Sequence, residues 1–323
     1  MIIPGLFYQF FKKAEWNLAW IILFLNFFVF LYSQIFFSTW PSASFFEQLN
    51  EKKFSQSVVE MYRQTLDPLE KMSYATAREL RSTDRQWNLS EALRDHRFWS
   101  RAQTFPFHGD ALQIEHNRKL LLQLQTEYFQ SAQYQLGLGS LETSPWAWVT
   151  YQFTHASWVH LIGNMIVIFL LVSYLELSVG FFWIATVYLF GGFAGGISYL
   201  IFDGSGSLSV VGASASACAL MTFLLVTQKN VVMPWSYLIA PVPEGYGVIY
   251  LPVFFIFPLY ILADFLTALW EPSGLSSSIA VSAHIGGSLA GLGLGVFYWL
   301  ELQIKNYLVK NWVLAEVKVK NLD

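Results

Sequence analysis

Four side chains carry the chemistry that this sequence offers: Ser214, His284, His160 and Asn164. A serine hydroxyl beside a histidine makes a nucleophile with its general base. A serine at a helix start also lies among backbone N–H groups that lack intrahelical acceptors, and such donors hold a developing oxyanion. Gly212-Ala213-Ser214 opens an apolar helix after the loop Gly204-Ser205-Gly206-Ser207. His160 and Asn164 are four residues apart, so they share one helix face and offer two more donors. The set supports acyl transfer. Taken singly, each residue has a plainer use, in packing or in hydrogen bonds between helices.

The elements that must position these groups are membrane spans. The chain has 323 residues, 54% of them hydrophobic and 13% charged, against about 25% charged in a soluble domain. That composition excludes disorder, collagen and a disulfide scaffold, and it points to a polytopic membrane protein. The net charge of −3 gives no basic footprint for nucleic acid. Cys218 is the single cysteine, so no intrachain disulfide forms. Stretches free of charge and near ~20 residues long mark six spans. The first has its core at Leu18–Phe37. The second begins near Ser157 and ends at Leu175, and the third covers Leu177–Phe202. The fourth follows Asp203 and ends before Lys229, the fifth covers about Gly247–Leu269, and the sixth has its core at Ile279–Trp299. The first core is longer than the 7–15 residues of a signal peptide's apolar region, so it reads as an uncleaved anchor.

Orientation follows from basic residues at the span ends. Lys12, Lys13, Lys229, Lys305, Lys310, Lys318 and Lys320 fall on one side, which is then the cytoplasm, with both termini in it. The segment 39–156 lies outside. It holds twelve basic and thirteen acidic residues and forms a region of its own. Asp110–Gln133 reads as an amphipathic helix, and Asn50–Arg81 as one or two helices broken at Asp67-Pro68. This region is either a helical cap or a surface that recruits substrate.

With this topology, Ser214, His284, His160 and Asn164 all fall within ~15 Å of the outer interface, at 1.5 Å of rise per residue. Polar groups inside a membrane are costly, so three helices placing them at one depth mark a site. Gly287, Gly291 and Gly295 form a small stripe that Ala283 extends, facing Ser214, Ala215, Ser216, Ala217, Cys218 and Ala219. Small residues at four-residue spacing let two membrane helices approach closely, which brings His284 to Ser214. No His-Glu-x-x-His occurs, which disfavours a zinc protease. Asp264 is the one acid well inside a span, which argues against a two-aspartate protease. It lies at the depth of His284 and could orient that base, though an acid reaching for the interface is the plainer reading. No metal or cofactor is expected.

These residues resemble the rhomboid intramembrane serine proteases. The likeness rests on His155-x4-His160-x3-Asn164, Gly212-x-Ser214 and Ala283-His284-x2-Gly287-x3-Gly291, and on Phe153-Thr154-His155-Ala156-Ser157 leading into the second span. The resemblance implies Ser214 as catalytic nucleophile and His284 as catalytic base. It implies an oxyanion hole made of His160, Asn164 and the Ser214 N–H. It also implies a structural role for Glu176 and a small residue before the cleaved bond. Three features depart from the family pattern: Ala215 replaces a glycine after the nucleophile, Cys218 replaces an aromatic that packs on the base, and the external segment is long.

The expectation is therefore an all-α polytopic membrane protein, a six-helix transmembrane bundle (rhomboid-like) with a helical insertion between spans one and two. Its parts are a cytoplasmic N-terminus at 1–15, the first transmembrane helix at 16–38, the extracytoplasmic insertion at 39–156, helices two to six at 157–302, and a cytoplasmic tail at 303–323. It would cleave peptide bonds in or near transmembrane segments of membrane-protein substrates, and its site would open to the extracytoplasmic side. Its partners would be those substrates and the lipid bilayer. The alternatives are a non-catalytic rhomboid-like binding protein and a small transporter. A transporter favours internal repeats and a midplane site, and the sequence displays neither.

Overall fold

A computed structural model describes residues 2–4, 18–40, 42, 45, 47, 51–66, 89, 92, 93, 95–139, 144–202, 208–228, 232–238, 246–252 and 280–320. Strand β1 is Ile2–Pro4 and helix α1 is Leu18–Phe36. Between α1 and the next long apolar helix come α2 (Lys52–Thr65), α3 (His96–Thr104), α4 (Ala111–Phe129), α5 (Ala132–Leu136) and α6 (Ala147–Thr150). Then follow α7 (Trp158–Val179), α8 (Phe181–Phe202), α9 (Ser214–Thr227), β2 (Val232–Leu238), β3 (Tyr246–Pro252) and α10 (Val281–Lys320).

Four of these helices are long and apolar enough to cross a membrane: Leu18–Phe36, Trp158–Glu176, Phe181–Phe202 and Val281–Asn311. Their outer faces carry bare apolar side chains such as Phe28, Ile35, Phe182 and Phe202, as a lipid-facing surface would. Local sequence sets the ends. The Ser157 hydroxyl caps α7 by accepting the His160 N–H at 3.2 Å, a favoured N-cap arrangement. Gly180 adopts φ +90°, a conformation costly for any residue with a Cβ, and this lets α8 start at once. The third span therefore begins at Phe181 rather than Leu177.

Helices α1 and α7 pack antiparallel. Trp20 meets Phe169 with ring centroids 5.1 Å apart, and Phe30 meets Trp158 at 4.7 Å. The Glu176 carboxylate, near the α7 C-terminus, accepts the Leu18 N–H at 3.0 Å from each oxygen. An anion there complements the dipole at the start of α1.

Two elements differ from the expectation. The fourth span is a helix of only 14 residues, α9, short of a ~30 Å hydrocarbon core at ~1.5 Å per residue. The expected fifth span starts as a strand. β3 pairs antiparallel with β2, and β2 pairs with β1, in a three-stranded sheet of order β1-β2-β3, so the fold is not all-α. The run Gly247-Val248-Ile249-Tyr250-Leu251 is rich in β-branched and aromatic residues, and a short apolar run does not distinguish strand from helix by periodicity. The rest of that span, Asp264 included, lies outside the described residues. Helix α10 extends beyond the expected sixth span, to Lys320.

Candidate active site

Small residues bring α8, α9 and α10 into backbone contact. A methyl carbon added at Gly287 would strike the carbonyl oxygen of Ala215, and one at Gly291 the carbonyl oxygen of Ala219. At Gly295 it would lie 2.9 Å from Val226 Cβ. On α8, Gly191 and Gly195 face Ala219 and Ala215 in the same way, and a carbon on Gly195 would lie 2.9 Å from the Ala283 carbonyl oxygen. This second stripe, Gly191/Gly195, shows the same four-residue spacing in the sequence. The Thr222 hydroxyl ties α9 to α10 by donating to the Ser288 carbonyl at 2.9 Å.

This packing sets His284, in the first turn of α10, against Ser214, the first residue of α9. Nε2 of His284 lies 2.7 Å from Ser214 Oγ. The α9 N-cap, Ala213, supplies no side-chain cap to the helix start. Gly212 just before it has φ +127°. A carbon placed on Gly212 would lie 2.9 Å from His160 Nε2 and 3.9 Å from Ser214 Oγ. The space left by the missing side chain is thus bounded by the His160 ring and the serine hydroxyl, which is where the oxygen of an acyl intermediate would need donors. The backbone of Gly212 is held by its N–H, which donates to the Tyr151 carbonyl at 2.8 Å.

Asn164 is buried one turn beyond His160, and its amide donates to the His160 carbonyl at 3.0 Å. Its Oδ1 meets no partner among the described residues. The structure thus brings Ser214, His284 and His160 together and ties Asn164 to the backbone that carries His160. Cys218 is buried in the apolar core.

His155 is buried beside His160, ring centroids 5.1 Å apart. Its Nδ1 donates to the Phe153 carbonyl at 3.3 Å. Burial pushes its pKa down to about 3, His160 lowers it further, and the carbonyl partly opposes both. His155 is therefore a neutral support for its neighbour.

Gln152 was not singled out from the sequence. It is fully buried, accepts the Ser216 hydroxyl at 3.3 Å and donates to the Trp148 carbonyl at 2.9 Å. Its own carbonyl accepts the Tyr188 hydroxyl at 3.4 Å. It links the segment before α7 to the first turn of α9. A polar residue in an apolar stretch was its only signal. Among the described residues, no three His, Cys, Asp or Glu side chains are grouped to hold a metal ion.

Residues 142–301 match the family model described as the Rhomboid domain. A mouse (Mus musculus) protein, Rhomboid-related protein 2, is 30% identical over 154 residues, covering 46% of this chain and 47% of the relative. The chain thus spans about half the length of the curated relative it matches.

Proposed function

With residues 142–301 a Rhomboid domain, the chain is a member of the rhomboid family, and from that premise we propose that it is an intramembrane serine endopeptidase. Ser214 Oγ attacks the carbonyl carbon of a substrate peptide bond while His284 Nε2 takes the hydroxyl proton. The oxyanion forms in the space beside Gly212, where the Ser214 N–H and the His160 ring donate to it. Losing one such donor costs on the order of 10²–10³ in rate in other enzymes. The protonated His284 then delivers its proton to the leaving amine. An acyl-enzyme on Ser214 remains, and water, activated by the same histidine, releases it.

The substrate is a membrane protein cut in or near a transmembrane segment. A helix in lipid keeps its backbone groups in internal hydrogen bonds, so the cut bond must lie where that helix unwinds. The site opens on the face bearing residues 39–156, and the two termini lie on the cytoplasmic side. In support, strand β1 in the segment before α1 pairs with β2 in the segment after α9. Basic residues Lys12, Lys13 and Lys229 belong to those same segments.

One observation carries the proposal: the 2.7 Å approach of His284 Nε2 to Ser214 Oγ. The test is labelling of detergent-solubilised protein with a fluorophosphonate probe. The wild type should label, and Ser214→Ala and His284→Ala should not. Combining the two changes should cost no more than either alone, because the pair acts as a unit. Full labelling of Ser214→Ala would dismiss the serine as nucleophile.

A further inference from the structure

The loop that delivers Ser214 is held from outside the Rhomboid domain. It runs from Leu208 to Gly212. Every polar atom of Ser209 is bonded to the segment between α1 and α7. The Ser209 N–H donates to the Tyr128 hydroxyl at 2.7 Å, and that hydroxyl lies 3.0 Å from Ser209 Oγ. The Ser209 carbonyl accepts from Gln133 Nε2 at 2.7 Å. Val210 exchanges both backbone hydrogen bonds with Leu138, each 3.0 Å long. Glycines make the approach possible. A carbon on Gly137 would lie 2.9 Å from Ser209 Cβ, and one on Gly139 would lie 2.6 Å from Ser209 Oγ.

Tyr128 is itself immobilised. It is buried, and its ring packs on Trp40 and Trp99 with centroids 5.3 and 5.4 Å apart, both edge-on. Burial raises its pKa to about 12, so the hydroxyl keeps its proton while it accepts from the Ser209 N–H and shares a hydrogen bond with Ser209 Oγ. A rigid aromatic cluster thus ends in a hydroxyl that grips a loop five residues before the nucleophile.

We propose that Tyr128 is a positioning residue for Ser214, and that the helical segment between α1 and α7 serves as a clamp that holds the 208–212 loop in the register which sets Ser214 against His284. The proposal rests on the serine-nucleophile reading above. It gives that segment a part in the reaction beyond covering the bundle: anything that loosens α4 loosens the nucleophile.

Tyr128→Phe is the test, because it keeps the ring and removes the hydroxyl. The probe is the same fluorophosphonate, with cleavage of a transmembrane substrate measured in parallel and amide exchange read at Ser209, Val210 and Gly212. Labelling rate and kcat should both fall by at least ~5-fold, since misplacing a reacting group by about 1 Å costs on the order of 10²-fold. KM should stay within about twofold, as uniform binding is untouched. Exchange should quicken at residues 209–212 and stay unchanged within α10. Thr126→Ala, on the exposed face of α4, should leave all of these unchanged. If Tyr128→Phe fails to fold, Gln133→Leu cuts the bond to the Ser209 carbonyl from outside the aromatic core and should lower labelling in the same sense. Wild-type labelling and kcat in a folded variant overturn the clamp, while an unlabelled Ser214→Ala keeps the serine reading standing. A wild-type protein that takes no label overturns both.

Discussion

The molecule holds itself together in two different ways. The helices α8, α9 and α10 meet through glycine and alanine, so close that backbone carbonyls fill the places of missing side chains. The segment between α1 and α7 is built from large rings instead: Trp40, Phe45, Phe54, Phe98, Trp99 and Tyr128 form one buried cluster. The difference follows from the solvent each would face. In water, burying an aromatic side chain removes a large apolar area and drives folding. In lipid, an apolar side chain is as well solvated outside the bundle as inside, so association depends on close van der Waals approach and on hydrogen bonds such as Thr222 to Ser288. The first arrangement tolerates no added atom at its contacts. The second suffers most when atoms are removed.

Substitutions in opposite directions test this contrast. Gly287→Val carries the largest expected effect. Its added carbons meet the Ala215 backbone, which cannot swing aside as a side chain would, so α9 and α10 must part. Labelling of Ser214 should be lost along with the monodisperse peak in size-exclusion chromatography. A variant that labels like wild type would mean that the stripe is not a contact. Trp99→Ala comes next. It empties a fully buried site, and such truncations cost about 3–5 kcal/mol. Limited proteolysis should open the α2–α4 region first, with α10 still protected. Equal loss of protection in both regions would show that they unfold as one.

A smaller effect is expected at His155. Its pKa in the fold, about 3, lies below the ordinary 6.5, so between those values the unfolded chain binds the extra proton. Stability from this group is therefore complete above pH ~6.5 and declines as the pH falls toward 3, by up to about 1.4 kcal/mol per pH unit. Melting temperatures between pH 7 and 4.5 should fall less steeply in His155→Gln than in wild type. Parallel slopes would show that the ring is not held neutral. The smallest change belongs to Gly293→Ala. Among the described residues no atom lies within 4 Å of the added carbon, and alanine favours helix by at most about 1 kcal/mol. Labelling and melting should match wild type or improve slightly. A loss like that of Gly287→Val would place an unseen contact on this face.

Several features are local and could be read directly. The four long apolar helices show as uncharged runs, and Ser157 and Asp110 mark the starts of α7 and α4 by cap chemistry that depends on a few neighbouring residues. Ser214, His284, His160 and Asn164 stand out as candidates because polar residues in apolar helices are few and helical spacing assigns them a depth. The strand at Tyr246–Pro252 did not stand out, because a seven-residue apolar run satisfies strand and helix alike until a partner is known.

Composition and spacing alone determined that this chain is rich in membrane-type helices, and they determined which residues are chemically equipped to form a site. Only the tertiary structure decided the 2.7 Å between His284 and Ser214, the space left by Gly212 against His160, and the grip of Tyr128 on Ser209. Those distances join residues 70, 52 and 81 positions apart. Periodicity places a side chain on the face of its own helix. It carries no information on which face of another element will meet it, because that is settled by the volumes and polar groups of both surfaces at once.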